Sequence, residues 1–264
     1  MTTSRSVSAG RRSEESAAQA NTASPSRFRV WLDLARAGNF PSVASNVLAA
    51  LVLSSPLVSR SLDPALLVLA IIAGCLVYAG GATFNDVFDA HFDARHRPER
   101  AIPRGLVKRA TAARVAAIEM ALGLGLLVAA QASLPWALAL GATILLYDWV
   151  HKRWIGSVVL MALCRVLLAA TITTLPEHSL RQPAFLWWVG ALFVYIVTLS
   201  LIARWEYKPG APAAKIGRSV GRLLAFIPLI DAVALMCVGA WIPAIACAAA
   251  IPLGRFAQRL VAST

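Results

Sequence analysis

Apolar positions in this chain run on rather than alternate. From about residue 40 to residue 254, near-continuous stretches of Ala, Leu, Val and Ile are separated by short polar segments. An α-helix needs roughly 20 such residues to cross the hydrocarbon core of a bilayer. The pattern predicts eight spans, at about 39–57, 64–87, 111–131, 133–148, 155–175, 184–205, 220–239 and 240–258. The fourth and eighth are short. Pro228, Pro243 and Pro252 predict kinks in the last two spans, tolerable where neighbouring helices satisfy the freed carbonyls. The expected fold class is therefore an all-α, polytopic membrane helix bundle.

Residues 1–27 break this pattern. They are rich in Ser, Ala and Arg and carry no apolar periodicity, so they are expected to form a disordered tail, with 28–264 as the membrane domain. They lack the apolar core of a cleaved secretory signal. Glu14 and Glu15 count against an organellar transit peptide.

Composition sharpens the picture. The chain is 58% hydrophobic and 14% charged, against about 25% charged in a soluble domain. The net charge of +12 does not point to nucleic acid, because the basic residues are confined to the loops between apolar runs. With the N-terminus inside, 22 of the 25 Lys and Arg residues fall on the cytoplasmic side; Arg60 and Arg181 fall outside and Arg165 lies within a span. This bias predicts a cytoplasmic N-terminus. The four cysteines sit in apolar segments without metal-ligand spacing and read as buried small hydrophobes. Trp136, Trp187, Trp188 and Trp241 fall near the expected outer boundaries, as an aromatic belt would.

The chemistry concentrates at the end of the second span, in Asn85-Asp86-Val87-Phe88-Asp89-Ala90-His91-Phe92-Asp93. If the helix runs on through this segment, Asp86, Asp89 and Asp93 share one face at i, i+3 and i+7, with Asn85 beside them. Three close carboxylates repel unless a cation lies among them. Hard divalent ions such as Mg²⁺ take oxygen ligands and usually share them with phosphate. A short acidic run can also be a solvated helix end, but here a basic turn follows: Arg95, Arg97, Arg100 and Arg104 crowd around Pro98, Pro103 and Gly105. Arginine binds phosphate bidentately. Together these residues suit a diphosphate held at the cytoplasmic water–lipid boundary. His91 points away from the acidic face and reads as solvated.

The sequence Asn-Asp-x-x-Asp-x-x-x-Asp followed by Arg-x-x-Pro-x-Gly resembles the first aspartate-rich motif of the UbiA superfamily of intramembrane prenyltransferases. The matching residues are Asn85, Asp86, Asp89, Asp93, Arg100, Pro103 and Gly105. Tyr147-Asp148 with Lys152 and Arg153 resembles the family's Tyr-and-Lys-Arg element, and Met161-Ala-Leu-Cys164-Arg165 is similar to the EboC-like subgroup. The resemblance covers about residues 30–250. It implies helices around a central chamber, nine spans where eight are counted here, and Mg²⁺-dependent transfer of a prenyl group from an isoprenyl diphosphate to an acceptor, with an aromatic acceptor as the family expectation. It implies Asp86, Asp89 and Asp93 as metal ligands, Asp86, Asp89, Arg100 and Lys152 as catalytic groups, and Asn85, Arg104, Tyr147 and Arg153 on the substrate.

One departure is plain. The family carries a second Asp-x-x-x-Asp motif at the cytoplasmic end of the sixth span. Here Ser200-Leu-Ile-Ala-Arg204-Trp205-Glu206 stands there, and no aspartate occurs between Asp148 and Asp231. Glu206 is the one candidate carboxylate ligand, and Arg204 is placed to supply positive charge to phosphate instead. This departure favours an alternative function: a non-catalytic UbiA-like protein that binds a polyprenyl phosphate or related lipid for export or presentation.

Other polar residues lie inside spans, where charge is costly. Arg165 either faces the chamber and contacts substrate or pairs with Glu119 or Asp231. Asn39 and Asn46, at i and i+7, either line the chamber or act as interhelical hydrogen-bond glue. Asp231 reads as a packing carboxylate rather than a metal ligand. An Arg165–Asp231 relay in a small-solute transporter is a third reading, but it leaves the acidic motif and arginine turn unexplained.

Overall fold

The computed structural model describes residues 26–55, 62–204 and 213–261. Residues 1–25 of the expected tail and Glu206 lie outside these residues, while Arg27, expected in the tail, already begins a helix. All regular structure among the described residues is helical. A short helix precedes the first expected span: α1, Arg27–Leu34, with Ser26 Oγ accepting from the Arg29 backbone N–H at its start. Arg36 then adopts a left-handed φ of 48° and turns the chain through a 3₁₀ segment, Ala37–Asn39. Every expected span coincides with helix. These are α2 (Phe40–Ser54), α3 (Pro64–His96), α4 (Arg109–Ala129), α5 (Leu134–Val150), α6 (Ser157–Ile172) and α7 (Pro183–Arg204). They are followed by α8 (Ala213–Ala225), α9 (Ile227–Cys237) and α10 (Trp241–Leu260).

Among the described residues, five segments are long and apolar enough to cross a membrane: Ala37–Ser54, α3, α4, α7 and Ser219–Cys237. Helices α5 and α6 are apolar but shorter. Trp187 and Ile242 are 82% and 83% exposed, a placement that suits hydrocarbon rather than water. Cys237 and Trp188 differ from expectation. Cys237 is exposed. Trp188 is 2% exposed and donates its indole N–H to Asp231, so it belongs to the core and not to the belt.

The seventh expected span is two helices. Pro228 has no N–H for the ladder, and the helix breaks at Phe226 just before it. Pro243 sits near the start of α10, where a missing N–H is harmless, whereas Pro252 lies inside that helix.

Helix α3 matters most for the site. Pro64 starts it, Asp63 caps the Ala65 N–H, and the helix runs 33 residues through the acidic segment to His96. That is about 50 Å of helix, well beyond a hydrocarbon core of about 30 Å. Glycines lock it against α4. A Cβ on Gly80 would lie 2.8 Å from the Ala116 carbonyl oxygen and the Met120 nitrogen, and one on Gly123 would lie 2.7 Å from the Ala73 carbonyl oxygen. Small residues permit such backbone approach. Under the loop that follows α3, Val30 and Leu34 of α1 pack with Val87, Val107 and Ala112 as a small second core.

Candidate active site

The end of α3 carries Asn85, Asp86, Asp89 and Asp93 into one cavity of about 480 Å³. All four are buried. The unbroken helix does this: the i, i+3, i+7 spacing keeps the three carboxylates on one face. Each of the first two aspartates is held by basic side chains from other elements. Asp86 Oδ1 lies 3.1 Å from Arg36 Nη2 and 3.4 Å from Arg100 Nη1. Asp89 Oδ2 lies 3.1 Å from both His151 Nε2 and Lys152 Nζ. Asn85 bridges the rows, accepting from Arg36 at 3.0 Å and donating to Asp148 Oδ1 at 3.1 Å.

Local geometry explains which arginine turns inward. The chain after α3 coils through backbone hydrogen bonds from Arg104 to Arg100 and from Gly105 to Ile102. Gly105 takes φ +72°, which favours glycine. This presents Arg100 to the cavity and leaves Arg104 exposed. Burial works against the charged form of Arg36, but Asp86 and its neighbours more than offset this and hold the guanidinium above its usual value. Burial, then repulsion from Arg36, holds Arg100 below the ordinary value, with Asp86 pulling the other way.

The turn after α5 supplies the opposite wall. Lys152 Nζ sits 4.4 Å from the Phe92 ring centre, and His151 stacks on Tyr147 at 5.1 Å. Arg204, at the end of α7, clamps this turn: its Nη2 donates to the carbonyls of His151 and Trp154 and to Ser157 Oγ at 2.6–2.8 Å. Arg204 lines the cavity, but this nitrogen is already engaged. Arg153, one residue past Lys152, is exposed and off the cavity.

Below the mouth lies an apolar chamber of about 110 Å³, walled by Val77, Leu140, Ile144, Leu168 and Ile196. Tyr78, Asn85, Tyr147 and Ser200 line both spaces. Arg165 lines the chamber with its guanidinium carbon 5.3 Å from the Tyr78 ring centre. It makes no direct ion pair with Asp231. It donates to Asn46 Oδ1 at 2.7 Å, and Asn46 in turn donates to Asp231. Ser45 and Trp188 complete the partners of Asp231. Asn46 is thus interhelical glue and lines neither space. Asn39 does line the mouth, where it donates to the Tyr78 hydroxyl and accepts from Gln258.

Of the residues expected from the sequence, the mouth gathers Asn39, Asn85, Asp86, Asp89, Asp93, Arg100, Tyr147, Lys152 and Arg204. Arg104, Arg153 and Asn46 fall away from it. Sequence reasoning missed Arg36, His151 and Tyr78. Arg36 carried one usable signal, an arginine three residues ahead of Asn39 at the start of a span.

The donors fit Mg²⁺ in one particular way. Asp86, Asp89 and Asp93 offer hard oxygens to one cavity. Among the described residues, no group of three or more His, Cys, Asp and Glu is close enough to cage a metal alone. Mg²⁺ usually needs only one or two carboxylates when substrate phosphate supplies further oxygens.

Known proteins complete the description. The chain is 31% identical over 147 residues to the digeranylgeranylglyceryl phosphate synthase of Metallosphaera sedula, covering 53% of this chain and 49% of that one. It is 38% identical over 104 residues to the synthase of that name from Thermococcus gammatolerans, covering 38% of each chain. The matched stretch therefore spans half or less of the length of these relatives. A solved structure of a digeranylgeranylglyceryl phosphate synthase in membranes superposes with a TM-score of 0.56 at 18% identity, covering 89% of this chain and 95% of that one. A UbiA homologue from Archaeoglobus fulgidus, bound to DMAPP and Mg²⁺, gives 0.55 at 15% identity, covering 87% and 99%. These two likenesses establish a shared fold. The family model described as the UbiA prenyltransferase family matches residues 43–263, and with the helical bundle and apolar outer surface it makes this chain a multi-pass membrane protein belonging to that family.

Proposed function

We propose that this protein transfers a prenyl group from an isoprenyl diphosphate to an acceptor within the membrane. One observation carries the reading: a mouth lined by carboxylates and fixed cations adjoins an apolar chamber. Arg36, Arg100 and Lys152 are placed to receive diphosphate oxygens, with arginine suited to bidentate contact. Asp86, Asp89 and Asp93 would hold Mg²⁺, which when bound withdraws charge from the leaving diphosphate. The chamber takes the prenyl chain and limits capture of an allylic cation by water. The protein's own contribution is positioning and electrostatic stabilisation of the separating charges.

The acceptor is aromatic on the family expectation. The relatives are named for digeranylgeranylglyceryl phosphate, so a glyceryl phosphate is the other candidate. The distribution of Lys and Arg supports a cytoplasmic N-terminus and a site opening to the cytoplasm.

A second reading keeps the ligand and removes the reaction: binding of a polyprenyl phosphate for export or presentation. It is favoured by Ser200 and the committed Arg204, which stand where the family carries a second acidic pair. Incubating purified protein with geranylgeranyl diphosphate, Mg²⁺ and acceptor mixtures, followed by mass spectrometry, separates the two. The prenyltransferase reading expects a prenylated product that disappears in Asp89→Ala. Tight binding with no product from any mixture would support the carrier.

A further inference from the structure

The chamber holds polar atoms that the fold leaves unanswered. Among the described residues, four buried side-chain polar atoms lack a hydrogen-bond partner: Arg36 Nε, Glu119 Oε2, Asp148 Oδ2 and Ser200 Oγ. Arg36, Asp148 and Ser200 all line the chamber. Asp148 is 4% exposed and Ser200 9%. Leaving such an atom unpaired costs about 1–3 kcal/mol. At Asp231, 0% exposed, the bundle avoids that cost, because the carboxylate accepts from Ser45, Asn46 and Trp188.

Asp148 and Ser200 come from different helices, α5 and α7, into a wall that is otherwise mostly aliphatic. An ionised carboxylate only accepts hydrogen bonds, whereas a serine hydroxyl both donates and accepts. A ligand hydroxyl carries both a donor of the kind Asp148 Oδ2 lacks and an acceptor of the kind Ser200 Oγ lacks. The orientation of Asp148 is fixed, because its Oδ1 accepts from Asn85 at 3.1 Å. Asn85 also ties that carboxylate to the acidic motif.

We propose that Asp148 and Ser200 form the subsite for the hydroxyl of the prenyl acceptor, with Asp148 as the base that takes its proton. This rests on the prenyl-transfer reading above and narrows the acceptor to an alcohol or phenol that is prenylated on oxygen. In the step, a lone pair of the acceptor oxygen forms the bond to C1 of the prenyl group. The bond from C1 to the diphosphate oxygen breaks, and its electron pair leaves with the diphosphate. The hydroxyl proton passes to Asp148 Oδ2, and the product is an ether.

The test uses the full chain in nanodiscs with Mg²⁺, geranylgeranyl diphosphate and three probe acceptors: an alkyl glyceryl phosphate with one free hydroxyl, its deoxy analogue, and 4-hydroxybenzoate. Ether formation is expected, with the deoxy analogue inert. Asp148→Asn retains the shape and the contact to Asn85. It should keep the affinity for geranylgeranyl diphosphate within about twofold while lowering kcat by roughly 10²–10⁴, the range of general base catalysis. Ser200→Ala should raise the acceptor KM about tenfold, the equivalent of one lost hydrogen bond. Wild-type turnover by Asp148→Asn, transfer only to a ring carbon, or transfer to none of the probes overturns the proposal. A wild-type protein that does not bind geranylgeranyl diphosphate overturns the prenyl-transfer reading itself, and the subsite with it.

Discussion

Asp86 lies between Arg36 and Arg100, from different parts of the chain, and Asp89 against His151 and Lys152 of one turn. In the proposed reaction the basic groups would turn to phosphate, and the carboxylates to a metal. Asp86→Ala should therefore lower turnover by about 10²–10³, the usual cost of removing one electrostatic partner of a transition state. Steady-state kinetics at saturating Mg²⁺ would check it. Arg36 is the residue to test for the anion. Its loss removes a charge-assisted hydrogen bond worth about 1.5–3 kcal/mol, so Arg36→Ala should weaken diphosphate binding by roughly 10- to 150-fold. Arg104→Ala and Arg153→Ala, both exposed, should leave it within about twofold; equal losses at all three would return Arg104 and Arg153 to the site. The acidic face was legible because helical periodicity alone aligns Asp86, Asp89 and Asp93. Arg36 and His151 were not, because their role depends on tertiary contact: Arg36 is 50 residues from Asp86. In the sequence, an arginine at the inner end of a span looks like any other positive-inside charge. Arg100 and Arg104 differ only through the turn that Gly105 closes.

At the scale of elements, close packing of α3 on α4 holds the acidic face in place. A side chain at Gly80 or Gly123 would meet backbone atoms of the neighbouring helix, which cannot rotate aside. Overpacking of this kind costs about 1–3 kcal/mol or more, so Gly80→Val should lower the thermal midpoint in detergent by several degrees. Gly125→Ala, where nothing lies within 4 Å, serves as the neutral comparison. Helix α7 acts on the site through Arg204. Arg204→Ala should raise hydrogen exchange across residues 151–157 and weaken diphosphate affinity, since Lys152 rides on that turn. Unchanged exchange there would show that the clamp is not needed. Span positions were legible from apolar runs. The break at Phe226 was only half legible: Pro228 announced a disturbance, but a proline yields a kink or two helices depending on how neighbours satisfy the freed groups. Helix α1 was missed because it is only eight residues long and buries only Val30 and Leu34, too little to stand out beside the spans.

For the whole molecule, the buried network around Asp231 joins α2, α6, α7 and α9 behind the chamber. Removing its carboxylate strands the Trp188 N–H and the Asn46 amide in a dry interior. Asp231→Ala should therefore destabilise the fold by about 3 kcal/mol or more while leaving the diphosphate affinity of the folded fraction unchanged. A relay transporter would instead lose transport with its fold intact. Sequence reasoning found Asp231 and Arg165 by their cost in a membrane, but not the bridge between them, because Asn46 carries no sign of which helix it faces.

The central claim is that one mouth binds a metal and a prenyl diphosphate together. The most direct measurement is titration of purified protein with geranylgeranyl diphosphate, with and without Mg²⁺, in parallel with Asp89→Ala. The account predicts binding that strengthens at least tenfold with Mg²⁺ and loses that gain in the variant. Binding indifferent to Mg²⁺ and to Asp89, or no binding at all, would contradict it.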